Sequence, residues 1–295
     1  MAERDSSDRE PQGKRQSTKK LVKAYHNRGF LNSADARAIR ILAEYLEPLH
    51  RLRKQGIKDT VVFYGSARVI SQNQADREFY RIQAEIAKSP RPSSKQQRQL
   101  KVAQRNLRSA KYYEETRQLA RRLTEWSCSL EENQRFIVVS GGGPGIMEAA
   151  NRGAYEAGGP TIGMNISLPF EQYPNPYISQ DQSFEFHYFF MRKFWFLFPA
   201  KAIVICPGGF GTMDEMFDML TLRQTAKIRK PMCIILYGKE YWQDIINFDK
   251  MVEWGVISEE DLNLFHFLDS VDEAYQTLIS HLTEKFVGRK KYWSW

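Results

Sequence analysis

Cysteine is scarce in this chain. Among 295 residues only Cys128, Cys206 and Cys233 carry thiols, and no two stand at a paired spacing. Neither a disulfide framework nor a CxxC metal site is expected, and a reducing, cytoplasmic setting is. Long apolar runs are also missing. The most apolar stretch, 184–207, contains Arg192, Lys193 and Lys201. A membrane span would have to bury those charges, so the stretch reads as the core of a soluble protein. The first twenty residues have no apolar segment and are not expected to form a secretory signal. The five histidines (His26, His50, His187, His266, His281) show no ligand spacing, so no metal site is expected. The motif G-x-S-x-G is absent, which removes the nucleophile elbow, and no internal repeat is present.

What is present is enough for a sizeable core, with 42% hydrophobic residues and 13% aromatics. The net charge of +8 is uneven. From Lys88 to Arg122 eleven basic residues face Glu114 and Glu115 alone, a balance of +9 that leaves the rest near neutral. The basic character belongs to one segment and does not describe a nucleic-acid-binding fold. That segment is expected to be a solvated helical excursion at about 72–110. It then runs into Tyr112, Thr116, Leu119, Leu123 and Trp126 at spacings of four and three, one face of a helix.

Residues 1–28 read as a flexible polar tail, 29–288 as one domain, and 289–295 as a second tail. Ser33 is placed to cap a helix bearing Ile39, Leu42, Ala43 and Leu46 and ending near Pro48. Strands are expected at 60–64, 136–140, 161–166, 202–206, 232–237 and 265–268. A helix with Phe79, Ile82 and Ile86 on one face is expected between the first two, and further helices near 242–254 and 271–286. Short apolar strands alternating with helices predict an α/β fold, a Rossmann-like doubly wound parallel sheet flanked by helices.

Three strand ends run into glycine turns: Gly65-Ser66-Ala67-Arg68, then Gly141 to Gly145 with Gly142 and Gly143 at its centre, then Gly208-Gly209-Phe210-Gly211-Thr212. In a parallel sheet all three lie at the carboxyl edge, where ligands bind. Glycine permits close approach, and a helix N-terminus offers free N–H groups, so a phosphate is the natural occupant. The glycines do not spell G-x-G-x-x-G or G-x-x-x-x-G-K-[ST], which excludes a nicotinamide fingerprint and a Walker loop. Any one such turn could equally be a tight connection.

Two further features each admit two readings. Thr212 and Glu215 are spaced as a capping box, which would account for both without chemistry. Alternatively Glu215 stands one turn inside a phosphate-binding helix and points at the ligand. Arg192 and Lys193 interrupt a run of Phe189, Phe190, Met191, Phe194, Trp195 and Phe196. Their stems could reach solvent. A planar guanidinium suits buried pairing, so Arg192 is expected to turn inward to a ligand or to Glu215.

In order along the chain, Ser140 to Glu148 (SGGGPGIME), Met191-Arg192-Lys193 and Pro207 to Glu215 (PGGFGTMDE) resemble the Lonely Guy (LOG) family. That family's signature is P-G-G-x-G-T-x-x-E. The Gly-Ile-Met-Glu variant and the extension before Gly65 resemble its longer, type II branch. The resemblance covers about 33–285. It implies a Rossmann-like fold and hydrolysis of the N-glycosidic bond in AMP or cytokinin riboside 5′-monophosphates, giving free base and ribose 5-phosphate. Members are often labelled lysine decarboxylases. Arg192 and Glu215 would be the catalytic pair. Gly208, Gly209, Gly211 and Thr212 would bind the 5′-phosphate, with Lys193 and Asp214 beside them. Glu171 and Thr221 match as further binding positions. Glu148 replaces a glycine of the short members. No cofactor is implied, and homodimers or larger assemblies are.

Three other classes remain open on the residues alone. A nucleotide sensor on the same fold would bind without releasing base. A pyridoxal-phosphate decarboxylase would need Lys193 or Lys201 in a cofactor site, and no such context surrounds either. A nucleic-acid binder would use the basic segment, which lacks interleaved aromatics before Tyr112 and ranks last.

Overall fold

The computed structural model describes residues 21–88, 91–169 and 173–288. They form two compact units, one up to Ala43 and one from Glu44 onward. In the first, a 3₁₀ turn at Ala24–His26 precedes α1 (Arg28–Leu31) and the start of α2 (Arg37–Lys54). The Arg40 guanidinium donates to the carbonyls of Leu31 and Ser33, both at 2.6 Å. Ser33 does not cap α2 as expected. Its hydroxyl donates back to the Phe30 carbonyl, and the helix starts four residues later. The expected apolar stripe of Ile39, Leu42, Ala43 and Leu46 forms on α2 and is exposed.

The helix also does not stop at Pro48 but runs through it to Lys54. Proline lacks an N–H and so frees the carbonyl four residues earlier. That carbonyl belongs to Glu44, and the Trp195 indole donates to it at 2.9 Å. A tertiary bond replaces the missing helical one.

In the second unit the described strands are β1 (Asp59–Tyr64), β2 (Phe136–Ser140), β3 (Thr161–Ile166), β4 (Ser183–Phe186), β5 (Ala200–Ile205), β6 (Cys233–Tyr237) and β7 (His266–Leu268). They build one sheet in the order β4-β3-β2-β1-β5-β6-β7, every pairing parallel. The helices are α3 (Gln72–Ala87), α4 (Ser94–Ser129), α5 (Ile146–Glu156), α6 (Phe189–Leu197), α7 (Phe210–Gln224), α8 (Lys239–Ile245), α9 (Phe248–Glu253) and α10 (Val271–Phe286). This is the doubly wound Rossmann-like architecture expected from the alternation of apolar runs. β4 was not foreseen, because its four residues alternate between exposed and buried and lie at the sheet edge. The helix expected at 242–254 is two short ones, separated at Asn247, whose side chain accepts from Lys250 N–H and caps α9.

One face of the sheet packs on α4, α5 and α10. Leu119, Leu123, Ala150 and Leu278 meet Val61, Phe63, Val138 and Val204 there. Side chains alternate along a strand, so Tyr64 points to the other face, where its ring meets Phe196 of α6 edge-on at 5.1 Å. The basic segment forms the first half of α4, which pairs with α3 as a helical hairpin. Tyr112, Thr116, Leu119 and Leu123 are buried, so the expected face is the one that docks. No helix among the described residues is long and apolar enough to cross a membrane.

The chain winds from β1 through β2 and β3 to β4, then crosses back to β5 on the other side of β1. The crevice at this reversal lies between β1 and β5, and the turns after β2, β1 and β5 are neighbours along its edge. Ser66 ties the three together. Its N–H donates to the Pro207 carbonyl and its own carbonyl accepts from Ile146 N–H, both at 3.0 Å. Gly145 sits at φ +73°, and an added Cβ would lie 2.3 Å from the Ser66 carbonyl oxygen. Gly145→Ala is therefore expected to lower stability by roughly 2 kcal/mol or more in chemical denaturation. An unchanged midpoint would show that the turn tolerates a side chain.

Candidate active site

Helix α7 begins where β5 ends. Its N-cap is Gly209, and no side chain caps it. Thr212 is thus the third helical residue rather than the cap, and Glu215 is the sixth. The capping-box reading is overturned, because the Glu215 carboxylate turns away from its own helix start and faces Arg192. Met216, Met219 and Leu220 bury the core side of α7, which places Glu215 at the edge of that face.

The Arg192 Nη2 and Glu215 Oε1 atoms are 3.2 Å apart, with side-chain exposures of 13% and 12%. Arg192 thus turns inward, as expected of a guanidinium set among aromatics. Its Cζ lies 5.3 Å from the Phe189 ring centre and 5.6 Å from that of Phe196. Its Nε is buried without a partner among the described residues, so a donor remains for an anionic ligand. Lys193, the next residue, donates to Asp214 at 2.8 Å and lies 3.9 Å from Asp218. Three ion pairs therefore bridge α6 and α7.

Burial pushes Glu215 up from the usual carboxylate range to about 7. Arg192 acts against that rise, Asp214 adds to it and Lys193 opposes it. Desolvation outweighs one guanidinium, and Glu215 titrates near neutrality. Tyr64, at the carboxyl end of β1, is pushed well above its ordinary value by burial and then by the Glu215 charge.

Helix α6 is fixed at both ends. At its start the Glu44 carboxylate accepts from the N–H groups of His187 and Tyr188 at 2.8 and 3.2 Å. At its end Lys230 Nζ donates to the carbonyls of Leu197 and Phe198, both at 2.6 Å, and burial pushes this lysine down to about 7. Trp195 and Phe196 are fully buried beneath it. Arg192 is carried on a helix with little freedom to move.

The glycines divide into two kinds. A Cβ on Gly65 would lie 2.5 Å from Ile146, and one on Gly208 would lie 2.1 Å from Thr212 Oγ1, so packing accounts for both. Gly208 is further held by the Tyr241 hydroxyl, which donates to its carbonyl. Gly142 has φ +73°, and its N–H is taken by Ser140 Oγ at 3.0 Å. The carbonyls of Gly142 and Gly143 both accept from the Asn175 amide at 3.1 Å. Gly209 and Gly211 differ, since a Cβ on either would meet nothing within 4 Å. Neither has a left-handed φ, and both are exposed, Gly209 as the N-cap and Gly211 in the first turn of the helix. That open space fits an anion.

The structure thus brings together Arg192, Lys193, Gly209, Gly211, Thr212, Asp214 and Glu215. Ser66 is occupied as a structural link. Thr221 is exposed further along α7, three residues past Asp218. Glu171 lies outside the described residues. Lys201 sits at the amino end of β5, paired with Asp59 at 3.0 Å, away from the glycine turns. Tyr64, Tyr241, Glu44 and Lys230 were not foreseen. Tyr64 closes a strand that enters a glycine turn, a position that marks the ligand edge. The other three are brought in only by the fold.

The fold and site define an open α/β protein with an exposed, uncapped helix start and a buried Arg–Glu pair at the sheet's switch point. Residues 147–278 match the family described as "Possible lysine decarboxylase". The matched stretch contains Arg192, Lys193 and the whole turn from Gly208 to Glu215. A rice protein (Oryza sativa subsp. japonica) named probable cytokinin riboside 5′-monophosphate phosphoribohydrolase LOG4 is 27% identical over 157 residues, 52% of this chain and 65% of that protein. The Arabidopsis thaliana protein LOG1, of the same enzyme name, is 26% identical over 161 residues, 53% of this chain and 74% of that one. A Rhodococcoides fascians enzyme of that name is 26% identical over 113 residues, 38% of this chain and 56% of its own length. The chain thus spans under two thirds of the rice and Rhodococcoides relatives. The resemblance to the Lonely Guy family is borne out by these matches. Solved structures with likeness include the molybdenum cofactor binding protein of Rippkaea orientalis (13% identity, 76% of this chain and 98% of that one, TM-score 0.45). The molybdenum cofactor carrier protein of Chlamydomonas reinhardtii is another (18% identity, 77% and 99%, TM-score 0.40).

The raised Glu215 value has a consequence for stability. A carboxyl whose folded value lies above its unfolded value near 4.5 contributes stability that is fully present below that pH. That contribution is lost as pH rises through about 7. The unfolding free energy of the native chain, minus that of Glu215→Gln, should fall by on the order of 3 kcal/mol between pH 4.5 and 8. A difference that stays constant across this range would place Glu215 in an ordinary environment.

Proposed function

We propose that the chain is a nucleoside 5′-monophosphate phosphoribohydrolase. It would cleave the N-glycosidic bond of AMP or of cytokinin riboside 5′-monophosphates to free base and ribose 5-phosphate. The observation that carries this reading is the buried Arg192–Glu215 pair, held 3.2 Å apart behind an uncapped helix start. The names of the relatives support the substrate class.

Glycosidic cleavage passes through an oxocarbenium-like sugar. The 5′-phosphate sits at the start of α7, against the amides that follow Gly209, with Arg192 Nε available as a further donor. Anchoring there positions the ribose one helical turn along, at Glu215. The ionised carboxylate stabilises positive charge on the ribose ring, holds its hydroxyls and orients the attacking water. Arg192 fixes the rotamer of Glu215 and keeps enough of it ionised at neutral pH to act. Charge-assisted bonds to phosphate contribute roughly 1.5–3 kcal/mol each, so two of them favour nucleotide over nucleoside by about 100-fold or more. The assembly expected from the family resemblance and the type II assignment belong to this same proposal.

The test is incubation of the purified chain with a panel of nucleoside monophosphates and nucleosides, with chromatographic separation of free base from ribose 5-phosphate. Base release from monophosphates, with the nucleosides poor substrates, is expected. Glu215→Gln should retain the fold and lose roughly 10²–10⁴ of turnover. In the native chain kcat/KM should climb as pH rises through about 7, following Glu215. Tight nucleotide binding without base release would make the chain a sensor instead, and wild-type turnover by Glu215→Gln would remove the assignment.

A further inference from the structure

Arg192 lies between two rings with very different surroundings. Phe189, Arg192 and Phe196 stand three and four residues apart on α6, which aligns them along one side of the helix. The contacts agree with that spacing, since the guanidinium carbon is 5.3 Å from the Phe189 ring centre and 5.6 Å from that of Phe196. Phe196 is fully buried and meets Tyr64 at the carboxyl end of β1. Phe189 is 50% exposed. The row therefore runs from the core, through the Arg192–Glu215 pair, out to an open ring.

A phenyl ring left half in water beside a buried ion pair forgoes the burial that aromatic side chains usually obtain. Two other exposed rings stand nearby in sequence, and each is placed differently. Phe190 turns to Tyr188, with ring centres 5.5 Å apart. Phe210 opens α7 and is more exposed still. Five residues before Glu215, it stands about 140° around the helix from that carboxylate. Phe189 is the open ring in contact with Arg192.

We propose that Phe189 binds the nucleobase of the substrate, its open ring stacking on the face of the base. The inference rests on the nucleotide reading above and completes it. The amides after Gly209 take the phosphate, Glu215 takes the ribose, and Phe189 takes the base. A base is joined directly to the ribose, so a ribose held at Glu215 carries its base beside the ion pair, where Phe189 supplies an apolar face. A phenyl face has no hydrogen-bond donor for a phosphate or a sugar hydroxyl, whereas it matches the π-face that every base presents. A stack reads the face of the base and not its edge, so it accepts adenine with or without a substituent on the exocyclic nitrogen.

The experiment is calorimetric titration of the full-length chain in a Glu215→Gln background, which prevents turnover. The two ligands are AMP and ribose 5-phosphate, and circular dichroism confirms the folding of each variant. Adding Phe189→Ala should weaken AMP by about tenfold or more, the size of one base stack. Ribose 5-phosphate has no base and should bind as before. Phe189→Tyr keeps a ring and should restore the AMP affinity. Unchanged AMP affinity in Phe189→Ala would overturn the proposal. So would an equal loss for both ligands, because the ring would then only prop Arg192. Affinity is read here rather than turnover. A native chain that binds AMP and releases no adenine would therefore refute the hydrolase reading and leave the stack standing, whereas failure of both ligands to bind would remove both.

Discussion

A carboxylate and a guanidinium taken out of water need each other. Either alone in the interior would cost several kcal/mol, and together they are tolerable only when geometry is fixed. Arg192 and Glu215 meet this condition because the two helices that carry them are held independently of the pair. Helix α7 is set by β5 and by the burial of Met216, Met219 and Leu220. Helix α6 is held by the Glu44 carboxylate at one end and Lys230 at the other. Pro48 contributes from a distance, since the carbonyl it frees is the one that holds Trp195. The site is thus a consequence of how two helices are clamped across one sheet edge. The same burial that fixes the pair lifts Glu215 to about 7, where a carboxyl can both take and release a proton at neutral pH.

The sheet itself could be read from the chain because its central strands are buried on both faces. Runs such as FIVVS and MCIILY have no alternation to lose, and the glycine turns mark where each ends. β4 was not legible for the opposite reason, being short and at the edge. Pro48 misled because a helix break is the local rule and the rescue is tertiary. The inward turn of Arg192 was legible from its aromatic setting, whereas the ambiguity of Thr212 and Glu215 was real. A capping box and an acid turned towards a neighbouring helix have the same spacing, and only the start of α7 at Phe210 separates them. Tyr241, Glu44 and Lys230 act through backbone atoms distant in sequence, which no local pattern encodes.

The glycines of the three turns looked alike in sequence and differ in space. Gly65, Gly145 and Gly208 serve close packing, and Gly142 spends its N–H on Ser140. Gly209 and Gly211 face open space. That open space lies at the start of the helix that also carries Glu215. The α3–α4 hairpin lies outside this economy. Its first-half cations are exposed, and its second half buries Tyr112, Thr116, Leu119 and Leu123.

The most direct test is a crystal structure of the chain with a bound nucleoside 5′-monophosphate and Glu215→Gln to prevent turnover. The phosphate is expected within hydrogen-bond reach of the amides following Gly209, with the ribose against residue 215 and the Arg192 guanidinium beside it. A nucleotide whose phosphate lies at the turn after β1 or β2, or whose ribose faces away from residue 215, would contradict the site.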